Sequence, residues 1–256
     1  MLLMRKNFIA ACRQGDLATV RKMLQSPEER SPQRALVEER KVVGFIQACT
    51  HGQLNIAQYL LTSPELKEHV DIHVRNDQAM RLACRHGHFH VVQYLLTSPE
   101  LKEHADPCAS ESSALHMACF GGKLEIVRYL LTSPELEKNT DIASANHAAL
   151  SVACEAGHLD VVKYLLTSPE LKEHSNLHAD NDFAFYIAHK NDQLEVCEYL
   201  LDFYDPQEAR EIILEHGKIN PVLDNIIQER IVLAQQGLLM DILDPDSFPD
   251  GKKLKI

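Results

Sequence analysis

The chain has 256 residues, 45% of them hydrophobic and 25% charged, with a formal net charge of -11; this balance fits a soluble globular protein and argues against disorder as its main state. That charge, with basic residues dispersed along the chain, excludes a phosphate-tracking nucleic-acid binder, whose affinity comes mainly from Lys and Arg neutralising backbone phosphates. No apolar run approaches the roughly 20 residues that cross a bilayer, and MLLMRKNFIAACRQG has charges and a Gly where a secretory signal needs a longer apolar core, so neither membrane insertion nor export by a leader is expected.

In chain order, the first helical unit falls on Ala11-Cys12-Arg13-Gln14-Gly15-Asp16-Leu17, which matches Ala153-Cys154-Glu155-Ala156-Gly157-His158-Leu159. Arg5, Lys6, Arg13, Lys22 and Gln25 suit the water-facing side of a terminal unit. Arg30 to Lys41 lengthens the first connection, since Cys12 to Cys49 is 37 residues rather than 35. From there YLLTSPEL begins at Tyr59, Tyr94, Tyr129 and Tyr164, with a degenerate YLLDFYDP at Tyr199. Cys49, Cys84, Cys119 and Cys154 keep the same 35-residue step, and His189 takes the next slot. A fixed period in this range means stacked supersecondary units, and six are counted.

Within one unit, Met80, Leu82, Ala83 and Cys84 lie along a short helix that Gly87 stops, and Val91, Val92, Leu95 and Leu96 give the second helix one broad apolar face. Two helices this short cannot bury both faces against each other, so the neighbouring units must cover the rest. Ser98-Pro99-Glu100-Leu101 predicts a helical turn over Pro99 to Glu103, followed by an extended finger from His104 to Ser113. Asn191-Asp192 replaces the turn glycine with residue types that tolerate a left-handed backbone. Beyond Asp205 the spacing predicts two or three helices, over Pro206 to Leu214, Pro221 to Gln236 and Leu238 to Leu243, then an extended tail. The expected division is a repeat array over 1–204, a helical cap over 205–243 and a tail over 244–256.

Of the seven cysteines, all but Cys108 sit inside helical apolar patterns and are expected as buried thiols in a reducing, cytoplasmic setting. Adjacent units place equivalent residues about 8–10 Å apart, too far for a disulfide or a shared zinc. Cys108, in a finger, is expected to be the most exposed. His86, His88 and His90 have the spacing of a metal cluster, but a turn-spanning segment points them in different directions. His69, His104 and His174 recur at the approach to the finger, where either simple solvation or a mildly pH-sensitive edge accounts for them. Gly121-Gly122 has no following Lys-Ser/Thr and is not a phosphate loop. No cofactor or metal is expected, and no enzyme; the alternative is an enzyme with its site in the groove or the C-terminal segment.

Ser113-Ala114-Leu115-His116 with Ala118-Cys119, Gly122, Ile126-Val127 and Leu130-Leu131 resembles the ankyrin repeat, and the resemblance runs through residues 10 to 201. It implies an all-α ankyrin-repeat solenoid with a C-terminal helical cap, working as a monomeric scaffold for protein–protein interaction. It places partner contacts on the finger residues Val74, Arg75, Asp77, Ser112, His147 and Asp182 and on the two residues after each small pair: Thr50, His51, Arg85, His86, Phe120, Glu155, Ala156, Lys190 and Asn191. His88 matches the family's turn histidine, which hydrogen-bonds backbone. Phe120 is either an exposed hot spot or packed inward beside Gly121, and the sequence leaves both open. The Tyr-Leu-Leu-Thr-Ser-Pro-Glu-Leu variant is similar to arrays in effectors that intracellular bacteria deliver into host cells, which implies a eukaryotic host protein as partner.

Overall fold

Each unit turns back on itself where the apolar helical period runs into a residue that favours a left-handed backbone. In the computed structural model, which describes residues 2–25, 34–109, 113–136, 142–215 and 217–243, this produces six helix pairs. They are α1 (Leu2–Gln14) with α2 (Leu17–Leu24), α3 (Arg34–Thr50) with α4 (Leu54–Thr62), α5 (Val74–His86) with α6 (Phe89–Thr97), α7 (Ala114–Phe120) with α8 (Leu124–Thr132), α9 (Ile142–Ala156) with α10 (Leu159–Thr167), and α11 (Phe183–Lys190) with α12 (Leu194–Leu200). A 3-10 turn at Leu201–Phe203 leads to α13 (Pro206–Glu215) and α14 (Pro221–Leu243). Among the described residues there is no strand. Gly87 stands at φ 84°, where a Cβ would be strained, and its N–H closes α5 on the carbonyls of Ala83 and Cys84. In the sixth repeat Asp192 takes that conformation at φ 56°.

The units stack in register, each first helix packing on the first helices of its neighbours and each second helix on the second helices beside it. The first helices pack the more extensively because their contact residues are small: Ala48, Cys49, Ala83, Cys84, Ala118, Cys119, Ala153 and Cys154 are all fully buried. Val92, Leu95, Val127, Leu130, Val162 and Leu165 fill the layer between first and second helices with no exposure.

The second helices end by one repeated device. Thr62, Thr97, Thr132 and Thr167 turn their hydroxyls back onto the carbonyls four residues earlier at 2.8–3.0 Å. The following serines are extended, as a residue before proline must be, with ψ between 124° and 126°. The helical turn predicted over Pro99 to Glu103 does not form. Leu101 N–H bonds the Ser98 carbonyl at 3.1 Å, and the chain then doubles back so that Ala105 N–H reaches the Leu95 carbonyl at 2.9 Å. That return bond to α6 leaves no room for further helix.

Two other expectations change. Arg34 to Lys41, expected as connection, forms the first turns of α3, whose RALVEERK run is rich in helix formers and carries a Glu38–Lys41 ion pair at 2.8 Å. Gly237 does not split the last segment: α14 runs through it as one helix, a single interior glycine costing only about 1 kcal/mol. α13 packs on α11 and α14 on α12, burying Ala209, Ile213, Leu223 and Ile227. The expected tail from Asp244 to Ile256 lies outside the described residues.

Candidate partner-binding surface

The end of each repeat that holds the helix-helix turn is built on a ladder of cross-repeat bonds. Residues at a 35-residue step reach from one repeat to the last carbonyls of the preceding first helix. Gln53 Nε2 donates to the Arg13 carbonyl at 3.1 Å and Gln193 Nε2 to the Glu155 carbonyl at 3.2 Å. His88 Nε2 donates to the Thr50 carbonyl at 2.8 Å and His158 Nε2 to the Phe120 carbonyl at 3.0 Å. These residues sit at the N-caps of their helices yet make no side-chain cap bond, because the polar atom is used across the interface instead. His88 thus has the backbone-bonding role its resemblance implies. His86 and His88 stack at 6.4 Å between ring centroids, and among the described residues no three metal-binding side chains come together.

Each rung fixes the last turn of a first helix, and the residues there form a row across the stack: Arg13, Thr50, Arg85, Phe120, Glu155 and Lys190. Arg85, Glu155 and Lys190 are exposed, as are the next residues His51, His86 and Asn191, while Thr50 is half-buried and turns its hydroxyl onto the Ile46 carbonyl. Phe120 resolves between its two readings. It is half-buried, and the Arg85 guanidinium of the preceding repeat lies 4.5 Å from its ring centroid. Gly121 permits this close seat, since a Cβ there would collide with the Arg85 carbonyl. Lys190 leans over the Tyr186 ring at 5.8 Å. The His86 imidazole is held below its usual pKa by partial burial first, then by His88, Arg85, His51 and Lys123.

At the opposite end the expected extended finger is replaced, where it is described, by three consecutive left-handed residues: Arg75, Asn76 and Asp77 at φ 54–56°, and Asp180, Asn181 and Asp182 at φ 51–58°. Each such residue costs roughly 1–2 kcal/mol unless side chains compensate. Here they do. His73 Nδ1 lies 3.1 Å from Asp77 Oδ1, and Asp77, 2% exposed, also accepts from Asp106 N–H of the next finger at 3.3 Å. His178 Nδ1 lies 2.7 Å from Asp182 Oδ1, which also accepts the Tyr204 hydroxyl at 2.8 Å. Of the finger residues expected to meet a partner, Arg75 is exposed and Val74 half-buried, whereas Asp77 and Asp182 spend their carboxylates on the finger itself. Ser112 lies outside the described residues, and so does the side chain of His147. His69, His104 and His174 are not merely solvated: each Nε2 closes the loop onto the carbonyl of Ser63, Ser98 or Ser168 at 2.9–3.0 Å. Their recurrence at 35 residues was the signal for this role.

Burial pushes the thiol of Cys12 up to about 12, and those of Cys49, Cys84, Cys119 and Cys154 higher, which keeps them protonated and poorly nucleophilic. Cys108 is exposed, as expected. A cleft of about 360 Å³ lies between α11 and the loop joining α13 to α14, lined by His189, Lys190, Asp192 and Lys218 among others. His189 Nε2 accepts the Asn220 N–H there at 3.0 Å, and Asn220 Nδ2 donates to Asp192 at 2.9 Å. The imidazole is thus committed to joining α11 to this loop.

No helix among the described residues is long and apolar enough to cross a membrane. None of the curated proteins compared with the chain matches it. A family model described as ankyrin repeats in three copies matches at residues 8–103, 45–145 and 115–210, which together span well over half of the chain. With that match, the paired helices, the left-handed turn residues and the small-residue first-helix interface, the chain belongs to the ankyrin-repeat family.

Proposed function

We propose that the protein is a non-enzymatic scaffold that binds a partner protein along its first-helix row and the exposed finger residues. Ankyrin repeats are in general protein–protein interaction modules. The supporting observation here is the contrast between frame and row. The turn residues and small-residue pairs recur from unit to unit, with rungs ending on Arg13, Thr50, Phe120 and Glu155, while the row position itself is exposed Arg85, then half-buried Phe120, then exposed Glu155 and Lys190. A surface whose geometry repeats and whose chemistry does not suits one specific guest. The candidate contact set is Val74, Arg75, Arg85, His86, Ser112, Phe120, His147, Glu155 and Lys190, with Asp77 and Asp182 shaping the fingers. The protonated ladder thiols and the committed His189 support a role without chemistry.

The similarity of the repeated YLLTSPEL unit to effector arrays supports a eukaryotic host protein as the guest and delivery of this chain into a host cell. Affinity capture from a eukaryotic cell lysate tests the reading. Wild-type protein should enrich a defined partner that a variant carrying Arg85→Ala, Phe120→Ala and Lys190→Ala loses by at least tenfold. Equal capture by both, or capture of nothing by either, overturns it.

A further inference from the structure

We propose that the turn end of the second to fourth repeats docks an acidic segment of the partner protein, anchored by Arg85 and Lys123. This rests on the reading of the row as a protein-binding face and names the chemistry of the guest. Four of the chain's other arginines are ion-paired within it, while Arg13 bonds the Gln47 amide oxygen. Arg21, Arg128, Arg210 and Arg230 are all paired with a carboxylate of this chain, on Glu65, Glu170, Asp224 and Asp202 respectively. Arg85 is exposed, and its guanidinium lies against Phe120 instead of a carboxylate. Among the described residues neither it, nor Lys123, nor His86 has an acid partner, although the chain carries 37 Asp and Glu against 26 Lys and Arg. Every charged group near enough to shift His86 is basic: His88, Arg85, His51 and Lys123.

Helix dipoles do not account for the cluster. The turn end holds the carbonyl end of each first helix and the amide end of each second helix, about half a charge of opposite sign apiece, which cancel to first order. The side chains therefore leave the patch from His51 through Arg85 to Lys123 positive, against a chain that is negative as a whole. The strip is bounded by Glu125 at the fourth repeat and by Glu155 and Asp160 at the fifth, so it is too short to track a nucleic-acid backbone. Its shape suits a short peptide. Stacked repeats step by about 10 Å, and a polyproline-II-like chain rises about 3.1 Å per residue with three residues per turn, so carboxylates three residues apart lie on one side about 9 Å apart and meet Arg85 and Lys123 on consecutive repeats. Arg85 is already held over an aromatic ring, so ordering it for a bidentate carboxylate contact loses little side-chain freedom.

The test is fluorescence anisotropy with the full chain and three labelled probes: a twelve-residue peptide of Glu, Ala and Phe, its Lys, Ala and Phe counterpart, and a twelve-nucleotide oligothymidylate. The acidic peptide should bind, weaken as salt rises, and lose at least tenfold in affinity in the Arg85→Glu/Lys123→Glu variant. The charge-matched Lys102→Glu/Lys172→Glu variant, altered on loops at the other end of the repeats, should stay within twofold of wild type. Should the first double variant unfold by circular dichroism, Arg85→Gln/Lys123→Gln takes its place, with at least a fivefold loss expected. No binding of the acidic peptide, equal loss in both double variants, equal binding of the Lys peptide, or tighter binding of the oligothymidylate overturns the proposal. If the acidic peptide fails while a lysate partner is still captured through Arg85, Phe120 and Lys190, this inference falls and protein docking on the row stands.

Discussion

Four side chains of two kinds, Gln53, His88, His158 and Gln193, tie one repeat to the next through the same geometry. A glutamine amide and an imidazole are interchangeable there because each offers an N–H at the same reach to a carbonyl that would otherwise end a helix unpaired. His88→Gln should therefore leave the denaturation midpoint close to wild type, while His88→Ala should cost about 1 kcal/mol, the usual net worth of such a bond. Urea denaturation of the two variants checks this, and equal losses would mean that packing of the ring over Gly52, rather than the bond, is what matters. The family resemblance identified His88 as structural. It did not identify Gln53 and Gln193 as its equivalents, because a one-letter pattern does not show that two different side chains end at the same atom.

The finger elements hold a pH-dependent contact. The His73 imidazole is raised above its ordinary value of 6.5, first by its hydrogen bond to Asp77 and then by the charges of Asp77, Asp71 and Glu103, against a lowering from partial burial. A group whose folded pKa is raised gives stability that is fully present below the unfolded value and lost as pH rises through the folded one. The third-repeat finger should thus be held most firmly below pH 6.5 and loosen above it. Hydrogen exchange at the Asp77 and Asp106 amides should speed up relative to the α6 amides as pH rises through that range, after correction for intrinsic exchange. His73→Asn should flatten the difference. This left-handed finger was not legible in the sequence, though the helices were. Val91, Val92, Leu95 and Leu96 dictate α6 through local periodicity alone. The conformation of Arg75 to Asp77 depends instead on Asp106, 29 residues away, and on His73, which no apolar pattern marks. The missing helical turn after Pro99 has the same origin, in the Ala105 N–H that returns to Leu95.

Across the whole molecule, stability is a sum over neighbouring interfaces, because no repeat has a core of its own. The last interface is the one between α11–α12 and α13–α14, where the sequence led to an expected boundary at residues 204 and 205. Leu223 and Ile227 are fully buried in it, and the Arg210–Asp224 and Arg230–Asp202 pairs lie across or beside it. Burying two such aliphatic side chains contributes roughly 3–6 kcal/mol, while the two part-exposed ion pairs add little. Truncation after Tyr204 should therefore lower the urea midpoint of the whole array and expose Leu200 and Leu201, both now buried, to a hydrophobic dye. A true cap gives one cooperative transition in the intact chain, displaced by the truncation. Two resolved transitions in the intact chain, with the first absent after truncation and the second unmoved, would instead make the C-terminal helices a separate folding unit, and the array would then be closed by its sixth repeat alone.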